Sequence, residues 1–271
     1  MQSTEIGAQS SLFPEVDAIT VFEQPLNERI RNCLRLEHLF AAIQNGLDGD
    51  TEWHTRASII SALEVCDLLS RTDIKGELIK ELERHVHKIS GLRNNPRVDQ
   101  SALEEVLSSV APLLSSLKSS DCHPGAIIRS DELTNQIKQR IAIPGGTCNF
   151  DLPAFHHWLS KPIAERSAQL KDWTSDLQVV EKAVAKVLRM LRESSVTRSL
   201  SVDEGLYQQQ LDPALQYQLI RLFVDNSVNV FPEISGGKHR FVVRFFTPPD
   251  SKGRPTQVKE TVSFDLQCCA I

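Results

Sequence analysis

Long hydrophobic runs are missing from this sequence. No stretch approaches the roughly 18 uncharged apolar residues that a membrane-spanning helix needs, although 41% of the 271 residues are hydrophobic. Residues Met1 to Asp17 have neither a basic start nor an apolar segment, so they indicate neither a secretory signal nor a membrane anchor. We expect residues 1–18 to be a disordered leader, and we expect no membrane partner.

Cysteine is sparse, and none of it forms a C-x-x-C pair. The six cysteines are scattered along the chain, which is too long to depend on disulfides for its stability. This pattern is typical of reduced, mostly buried thiols. It predicts a cytoplasmic protein in a reducing compartment.

An excess of positive charge is also missing. The chain has 30 Lys and Arg against 35 Asp and Glu, a net charge of −5. Proteins that bind duplex DNA are usually basic, because neutralisation of the phosphate charges drives their binding. Nucleic acid is therefore not an expected partner, although a local basic patch is compatible with this balance.

The motifs of common enzyme classes are absent as well. There is no G-x-S-x-G and no H-E-x-x-H, the signatures of many hydrolases and zinc proteases. Gly236-Gly237-Lys238 lacks the other residues of a phosphate-binding loop, so it is predicted to be a turn. His156 and His157 have no cysteine or carboxylate at a matching metal-ligand spacing. We expect no enzyme, no cofactor and no metal, and a structural or contact role for His156.

Most of the chain carries helical periodicity. A first helix is predicted to start at Pro25, whose missing N–H costs nothing in a first turn, and Asp99 is predicted to cap a later one. Apolar residues at helical spacing predict further helices over about 52–69, 73–92, 99–118, from 130 or 131 to 144, around Leu159, and as one long helix over about 163–193.

After Ser194 the pattern changes to that of strands. Runs separated by Gly and Pro turns predict strands over about 196–202, 216–224, 228–231, 240–246 and 258–266. The β-prone segment near Ile19 cannot satisfy its own backbone, so it is expected to join them. The predicted fold class is α+β: an N-terminal strand (19–24), a mainly helical domain (25–194) and a small antiparallel β-domain (195–271) that this strand joins.

The most informative feature is a basic segment within the predicted β-domain. Residues 236–259 contain six cations against Asp250 alone, six minus one, a net charge of +5. In a strand, Arg240 and Arg244 share one face with about 13 Å between their backbones, while the phenylalanines between them point to the core. The cations of this segment are Lys238, Arg240, Arg244, Lys252, Arg254 and Lys259.

Two interpretations of this basic face follow from the residues alone. A strand face can be basic merely for solubility. It can also accept acidic groups or a peptide carboxylate, since the arginine fork matches carboxylate geometry. An acidic protein with one basic face tends to bind an acidic partner segment.

Several segments, taken together and in order, resemble the ZapD family of Z-ring-associated division proteins. They extend from about residue 20 to residue 269, nearly the whole chain, and the ordered set is specific although no single segment is diagnostic. The matching segments are Val21–Glu28, Leu34–Glu37, Glu77–Arg84, Val98–Gln100, Gln139–Gly146, Phe150–Pro153, His156–Leu159, Phe231–Gly236, Lys238–Phe245 and Cys268–Cys269.

The resemblance implies a division scaffold without cofactor or catalytic activity. Members of the family form homodimers and bind the short C-terminal peptide of FtsZ in the cytoplasm, at the midcell division site. A dimer with two such sites can cross-link FtsZ filaments into bundles that stabilise the Z-ring.

Carried over residue by residue, the family's basic binding surface falls on a few positions of this chain. Arg240 and Arg244 match it, with Lys238 beside them, and Arg71 lies at another matching basic position. Two further residues in matching motifs, Arg35 and His156, are expected to line either the same groove or the dimer contact.

Two other functions are compatible with the residues. A single-stranded nucleic-acid-binding module could use the basic strand 238–246, with Phe246 or His239 stacking on bases. A hydrolase or metalloenzyme could be built around His156 and His157. The overall negative charge counts against the first, and the missing ligand spacing counts against the second.

Overall fold

The structure, a computed structural model, describes residues 18–93, 95–96, 98–249 and 253–270. The predicted leader, except Ala18, lies outside these residues, as do Asp250 and Lys252 of the basic segment. The described part of the chain confirms the α+β class, because a helical region is followed by antiparallel sheets.

Nine α-helices form the helical region of the described chain. The predicted helices over 52–69, 73–92 and 99–118 agree with three of them to within two residues at each end. The helices are α1 (Glu28–Asp48), α2 (Glu52–Arg71), α3 (Ile74–Ser90), α4 (Gln100–Lys118), α5 (Ala126–Ser130), α6 (Glu132–Ile141), α7 (Pro153–Leu159), α8 (Ile163–Trp173) and α9 (Gln178–Arg192).

The predicted start of the first helix at Pro25 is wrong. A strand, β1, runs over Ile19–Pro25, and Asn27 caps α1 by accepting a hydrogen bond from the backbone N–H of Ile30 at 2.9 Å. An asparagine side chain satisfies a first-turn donor that no backbone carbonyl can reach. The cap therefore places the start of the helix at Glu28.

The single long helix predicted over 163–193 is also wrong. The chain forms α8, a 3₁₀ turn at Ser175–Leu177, and then α9. Thr174 donates its hydroxyl to the carbonyl of Leu170 at 2.9 Å, and Ser175 donates to that of Asp172 at 2.8 Å. Hydroxyl side chains that bond to nearby carbonyls compete with the helical ladder, and here the ladder is interrupted.

The β-strands that follow form two sheets. One has the order β1-β4-β8-β2, and the other has the order β3-β6-β5 with β7 also paired to β6. The N-terminal strand β1 thus joins a sheet, as the sequence predicted, and its neighbour there is β4. The strands are β2 (Arg198–Val202), β3 (Leu206–Gln210), β4 (Tyr217–Asp225), β5 (Phe231–Gly236), β6 (Arg240–Thr247), β7 (Thr256–Gln257) and β8 (Val262–Ala270).

Two compact units divide the described residues, and each is discontinuous in sequence. The β-unit contains residues 18–24, 196–213 and 220–268, and the helical unit contains residues 25–195, 214–219 and 269–270. In the helical unit, the buried stripe Val180, Val184, Val187 and Leu191 is at most 1% exposed. It places α9 against α1, α3 and α4.

Aromatic rings hold the two sheets of the β-unit face to face. The ring centroid of Phe264 on β8 lies 5.0 Å from that of Phe245 on β6 and 5.8 Å from that of Tyr207 on β3. Phe241 and Phe245 are fully buried. Since successive residues of a strand point to opposite faces, this packing turns the alternate residues of β6 outward.

Candidate peptide-binding surface

Strand β6 presents its two arginines outward, as the sequence predicted. Arg240 and Arg244 are exposed and Val242 is half-buried, whereas Phe241, Val243 and Phe245 are fully buried. The strand period of two produces this division. Burial of the phenylalanines therefore fixes the direction in which both guanidinium groups point.

The strands on either side of β6 extend this face. The register places residues of β3 and β5 directly opposite the outward residues of β6, and directly opposed side chains share a face of the sheet. We call the resulting set the β6 outer face. It consists of Arg240, Val242, Arg244 and Phe246 of β6, Leu206, Gln208 and Gln210 of β3, and Phe231, Glu233 and Ser235 of β5.

One end of the β6 outer face is apolar. The rings of Phe231 and Phe246 stack with their centroids 5.9 Å apart and their planes 26° from parallel, and both residues are half-buried. Leu206, opposite Arg244, is 47% exposed. An apolar side chain of a ligand can therefore pack beside Arg244.

Glu233 is a carboxylate of this face that the sequence analysis missed. It lies opposite Arg244, just outside the basic segment 236–259. Opposed Cβ atoms in antiparallel strands are about 5 Å apart, so Glu233 lowers the positive potential at Arg244 but hardly at Arg240. Only the strand register reveals this neighbour.

Both arginines remain available for an acidic ligand. Within the part of the chain that the structure describes, no ion pair and no side-chain hydrogen bond involves either guanidinium group. A guanidinium in this state presents its full fork of donors to a carboxylate.

Lys238 lies beside Arg240 in the hairpin loop between β5 and β6. The backbone N–H of Gly237 donates to the carbonyl of Arg240 at 3.0 Å and closes the hairpin. The loop borders an open concavity of about 490 Å³, whose lining includes Lys238, His239 and Arg240. The structure thus brings together Lys238, Arg240 and Arg244 in the β-unit.

Arg35 and Arg71 meet in a groove of the helical unit, between α1 and α2. The groove has a volume of about 400 Å³, and its lining also includes Glu64 and Asp67. Arg35 lies 3.5 Å from Glu28, and Asp67 pairs with Lys138 at 2.6 Å. The groove is therefore of mixed charge, with Arg71 exposed as the last residue of α2.

His156 is exposed on α7 and does not line that groove. Its neighbours Phe155 and Trp158 are buried, with ring centroids 5.9 Å apart. The ring of Trp158 also packs against that of Trp173 at 5.2 Å. This packing anchors α7 and leaves both His156 and His157 on its exposed side.

The described residues offer neither a metal site nor a membrane-spanning helix. No group of three or more His, Cys, Asp or Glu side chains among them is arranged to hold a metal ion. None of the helices described is both long and apolar enough to cross a membrane.

Comparison with known proteins identifies the family. The family model ZapD, described as a cell division protein, matches residues 34–244. A "Cell division protein ZapD" of Methylococcus capsulatus is 38% identical over 251 residues, covering 93% of this chain and 98% of that protein. The proteins of the same name from Bordetella pertussis and Ralstonia pickettii are 36% and 37% identical, covering 93% and 92% of this chain and 99% and 98% of theirs. The chain belongs to the ZapD family of cell division proteins.

Proposed function

We propose that this cell division protein is a non-enzymatic scaffold that binds the C-terminal peptide of FtsZ through the β6 outer face. As a homodimer with two such faces, it cross-links FtsZ filaments into bundles and stabilises the Z-ring. It acts in the cytoplasm and is recruited to the midcell division site.

One observation carries this proposal: Arg240 and Arg244 are held on one rigid strand face without an ion-pair partner in the described chain. Four residues of strand separate their backbones by about 13 Å. Two carboxylates of an extended peptide, four residues apart, match this spacing. The stacked Phe231 and Phe246 add an apolar contact at the Arg244 end.

Bivalency explains how a weak site becomes an effective cross-linker. Once one site of a dimer holds a filament, the second site meets the neighbouring filament at a high effective concentration. A filament presents many copies of the same tail, so even modest affinity per tail supports bundling. A monomer with one site would coat filaments without joining them.

Low-speed sedimentation with the FtsZ of the same organism tests the proposal. We expect the wild-type protein to pellet FtsZ filaments, and the variant Arg240→Glu/Arg244→Glu to lose this activity. A titration with the isolated tail peptide should show at least tenfold weaker binding to the variant, since each reversal replaces an attraction by a repulsion.

A matched control separates the site from total charge. Lys161→Glu/Lys171→Glu makes the same charge change on α8 and the turn before it, and it should bundle FtsZ normally. Undiminished bundling by the arginine variant, or bundling of FtsZ that lacks its tail, would contradict the mechanism.

The alternative function, binding of single-stranded nucleic acid, would use the same face. Its ligand distinguishes it from the peptide-binding function. Stacking on bases would use Phe246, whose ring already stacks on that of Phe231, or His239, and it would also need cations that track a backbone. A gel-shift titration with single-stranded oligonucleotides should show no binding at moderate salt. Tight, salt-dependent binding that Arg240→Glu/Arg244→Glu abolishes would favour that alternative.

A further inference from the structure

We propose that the groove between α4 and α9 is a second docking site, which takes an acidic amphipathic helix of a partner protein. The groove lies wholly within the helical unit and has a volume of about 770 Å³. It shares no residue with the β6 outer face, so it stands independently of the proposed function.

The lining of the groove combines apolar side chains with a basic rim on α9. Pro112 and Leu113 of α4 and Val179 and Ala185 of α9 supply apolar surface. Three cations of α9 line the rim, and no Asp or Glu belongs to the lining: Lys182, Lys186 and Arg189. In a protein of net charge −5, this local reversal of sign selects for an acidic ligand.

The two lysines are the main source of this positive potential. Neither Lys182 nor Lys186 forms an ion pair within the residues that the structure describes. Arg189 pairs with Glu193 at 2.9 Å and also interacts electrostatically with Glu105, so its charge is partly compensated. Glu181 interacts electrostatically with the neighbouring Lys182 without forming an ion pair with it. An acidic ligand therefore gains most from Lys182 and Lys186, which lie one turn apart on the same side of α9.

Part of the lining leaves room for a bulky partner. It includes small side chains of α4 and of the 3₁₀ turn: Ser109, Ser116 and Ser175. From Gln178 to Arg189 the groove follows α9 for about 16 Å, the length of about three helical turns. A groove of this length between two helices, with apolar side chains in its lining and one charged rim, fits the helix-in-groove mode of recognition.

A labelled synthetic peptide tests the proposal by fluorescence anisotropy. The probe is a 14-residue helix with Leu at positions 3, 7, 10 and 14 and Glu on the flanking positions, and a peptide of the same composition in scrambled order is its control. We expect only the patterned peptide to bind the full-length protein, and binding to weaken as salt increases.

Three variants locate the binding. Lys182→Glu/Lys186→Glu should weaken it about tenfold or more, whereas the charge-matched Lys161→Glu/Lys171→Glu should not. Ala185→Arg fills the groove but adds a positive charge. If the peptide enters the groove, this variant should also weaken peptide binding. If the peptide is held only by electrostatic attraction to the surface, the added charge should strengthen binding. Circular dichroism would confirm that each variant is folded.

Other occupants are outcomes of the same experiment. Loss of peptide binding in Arg240→Glu/Arg244→Glu but not in the lysine variant would place the peptide on the β6 outer face and overturn the groove proposal. Lysine-dependent binding to phosphatidylglycerol vesicles instead of the peptide would assign the rim to a membrane surface. A change in oligomeric state caused by Ala185→Arg would make the groove an interface between copies. Absence of all binding would also overturn the proposal.

Discussion

Glu81 shows how much a single buried charge can matter at the residue scale. Its side chain is fully buried in the helical unit, 3.1 Å from Nε of Arg29 and 3.3 Å from Nε2 of His85. Arg84 also pairs with it, and Gln218 donates to it at 3.2 Å. Burial alone would raise the pKa of Glu81, but the adjoining His85 and the arginines Arg84 and Arg29 outweigh this and lower it from 4.5 to about 2.

The stability of the protein should therefore depend on Glu81 in a defined pH range. The pKa is lower in the folded state, so the ionised carboxylate stabilises the fold above about pH 4.5, and this contribution is lost as the pH falls toward 2. At pH 7 we expect Glu81→Gln to lower the free energy of unfolding by about 3 kcal/mol, because two arginines lose their counter-charge.

Urea unfolding at several pH values measures this effect. The difference between wild type and Glu81→Gln should shrink steadily below pH 4.5. Glu83→Gln is a suitable control, because Glu83 is on the same helix but pairs with Lys118 at the surface, where both side chains are about half exposed. That change should cost less than about 1 kcal/mol at any pH. An equal loss in both variants would contradict the role of burial.

Glu233 is the second residue with a sharp expected effect. Because it lies opposite Arg244, it competes with any ligand carboxylate that approaches there. In the proposed complex, we expect Glu233→Gln to tighten binding of the FtsZ tail peptide by about threefold to tenfold at low salt. Isothermal titration calorimetry measures the change, and Glu260→Gln, an exposed carboxylate of the same unit, is the control. Weaker binding by Glu233→Gln would mean that Glu233 itself contacts the peptide.

At the scale of elements, the connection between β2 and β3 carries the chain from one sheet to the other. Gly205 in this turn has a φ of +58°, and a Cβ there would lie 2.8 Å from the carbonyl oxygen of Val258. The carbonyl of Gly205 also accepts a hydrogen bond from the N–H of Phe245 at 2.8 Å. This turn therefore sets where β3 lies along β6.

Replacement of Gly205 should disturb that arrangement. We expect Gly205→Ala to lower the free energy of unfolding by about 1–3 kcal/mol, because it combines a left-handed backbone with a steric overlap. Thermal unfolding followed by circular dichroism measures the loss. Gly237→Ala is the matched control, since a Cβ there meets no atom within 4 Å. A similar loss of stability in both variants would show that the general conformational freedom of glycine, and not the geometry of this turn, is responsible.

The local sequence pattern predicted those elements in which the spacing of apolar residues determines which side chains are buried. The alternation over β6 gave the buried phenylalanines and the exposed Arg240 and Arg244, and apolar periodicity gave α2, α3 and α4. The pattern did not predict β3, whose residues Leu206–Gln210 are mostly glutamine and pair with β6 from a distance in sequence. The neighbour relation between Glu233 and Arg244 was missed for the same reason, because a strand register is a non-local property.

At the scale of the whole molecule, the proposed bundling mechanism requires two intact sites in one dimer. Subunits of wild type and Arg240→Glu/Arg244→Glu, mixed in equal amounts and allowed to exchange, should form mixed dimers that bind one filament only. Random pairing then leaves about a quarter of the dimers able to bridge, whereas about half of the sites still bind tails. Light scattering measures bundling and anisotropy measures tail binding. A fall of both signals in parallel would mean that a single subunit can bridge filaments.

The pairing of β1 with β4 has a consequence for folding of the chain during its synthesis on the ribosome. Glu23 of β1 pairs with Arg221 of β4 at 2.7 Å, and the two residues are separated by 198 positions in the sequence. At bacterial elongation speeds of about 5–20 residues per second, β1 waits on the order of 10–40 s before its neighbour has been synthesised. Throughout that interval its backbone donors and acceptors have no sheet partner, so nascent chains are expected to recruit a holding chaperone to this segment.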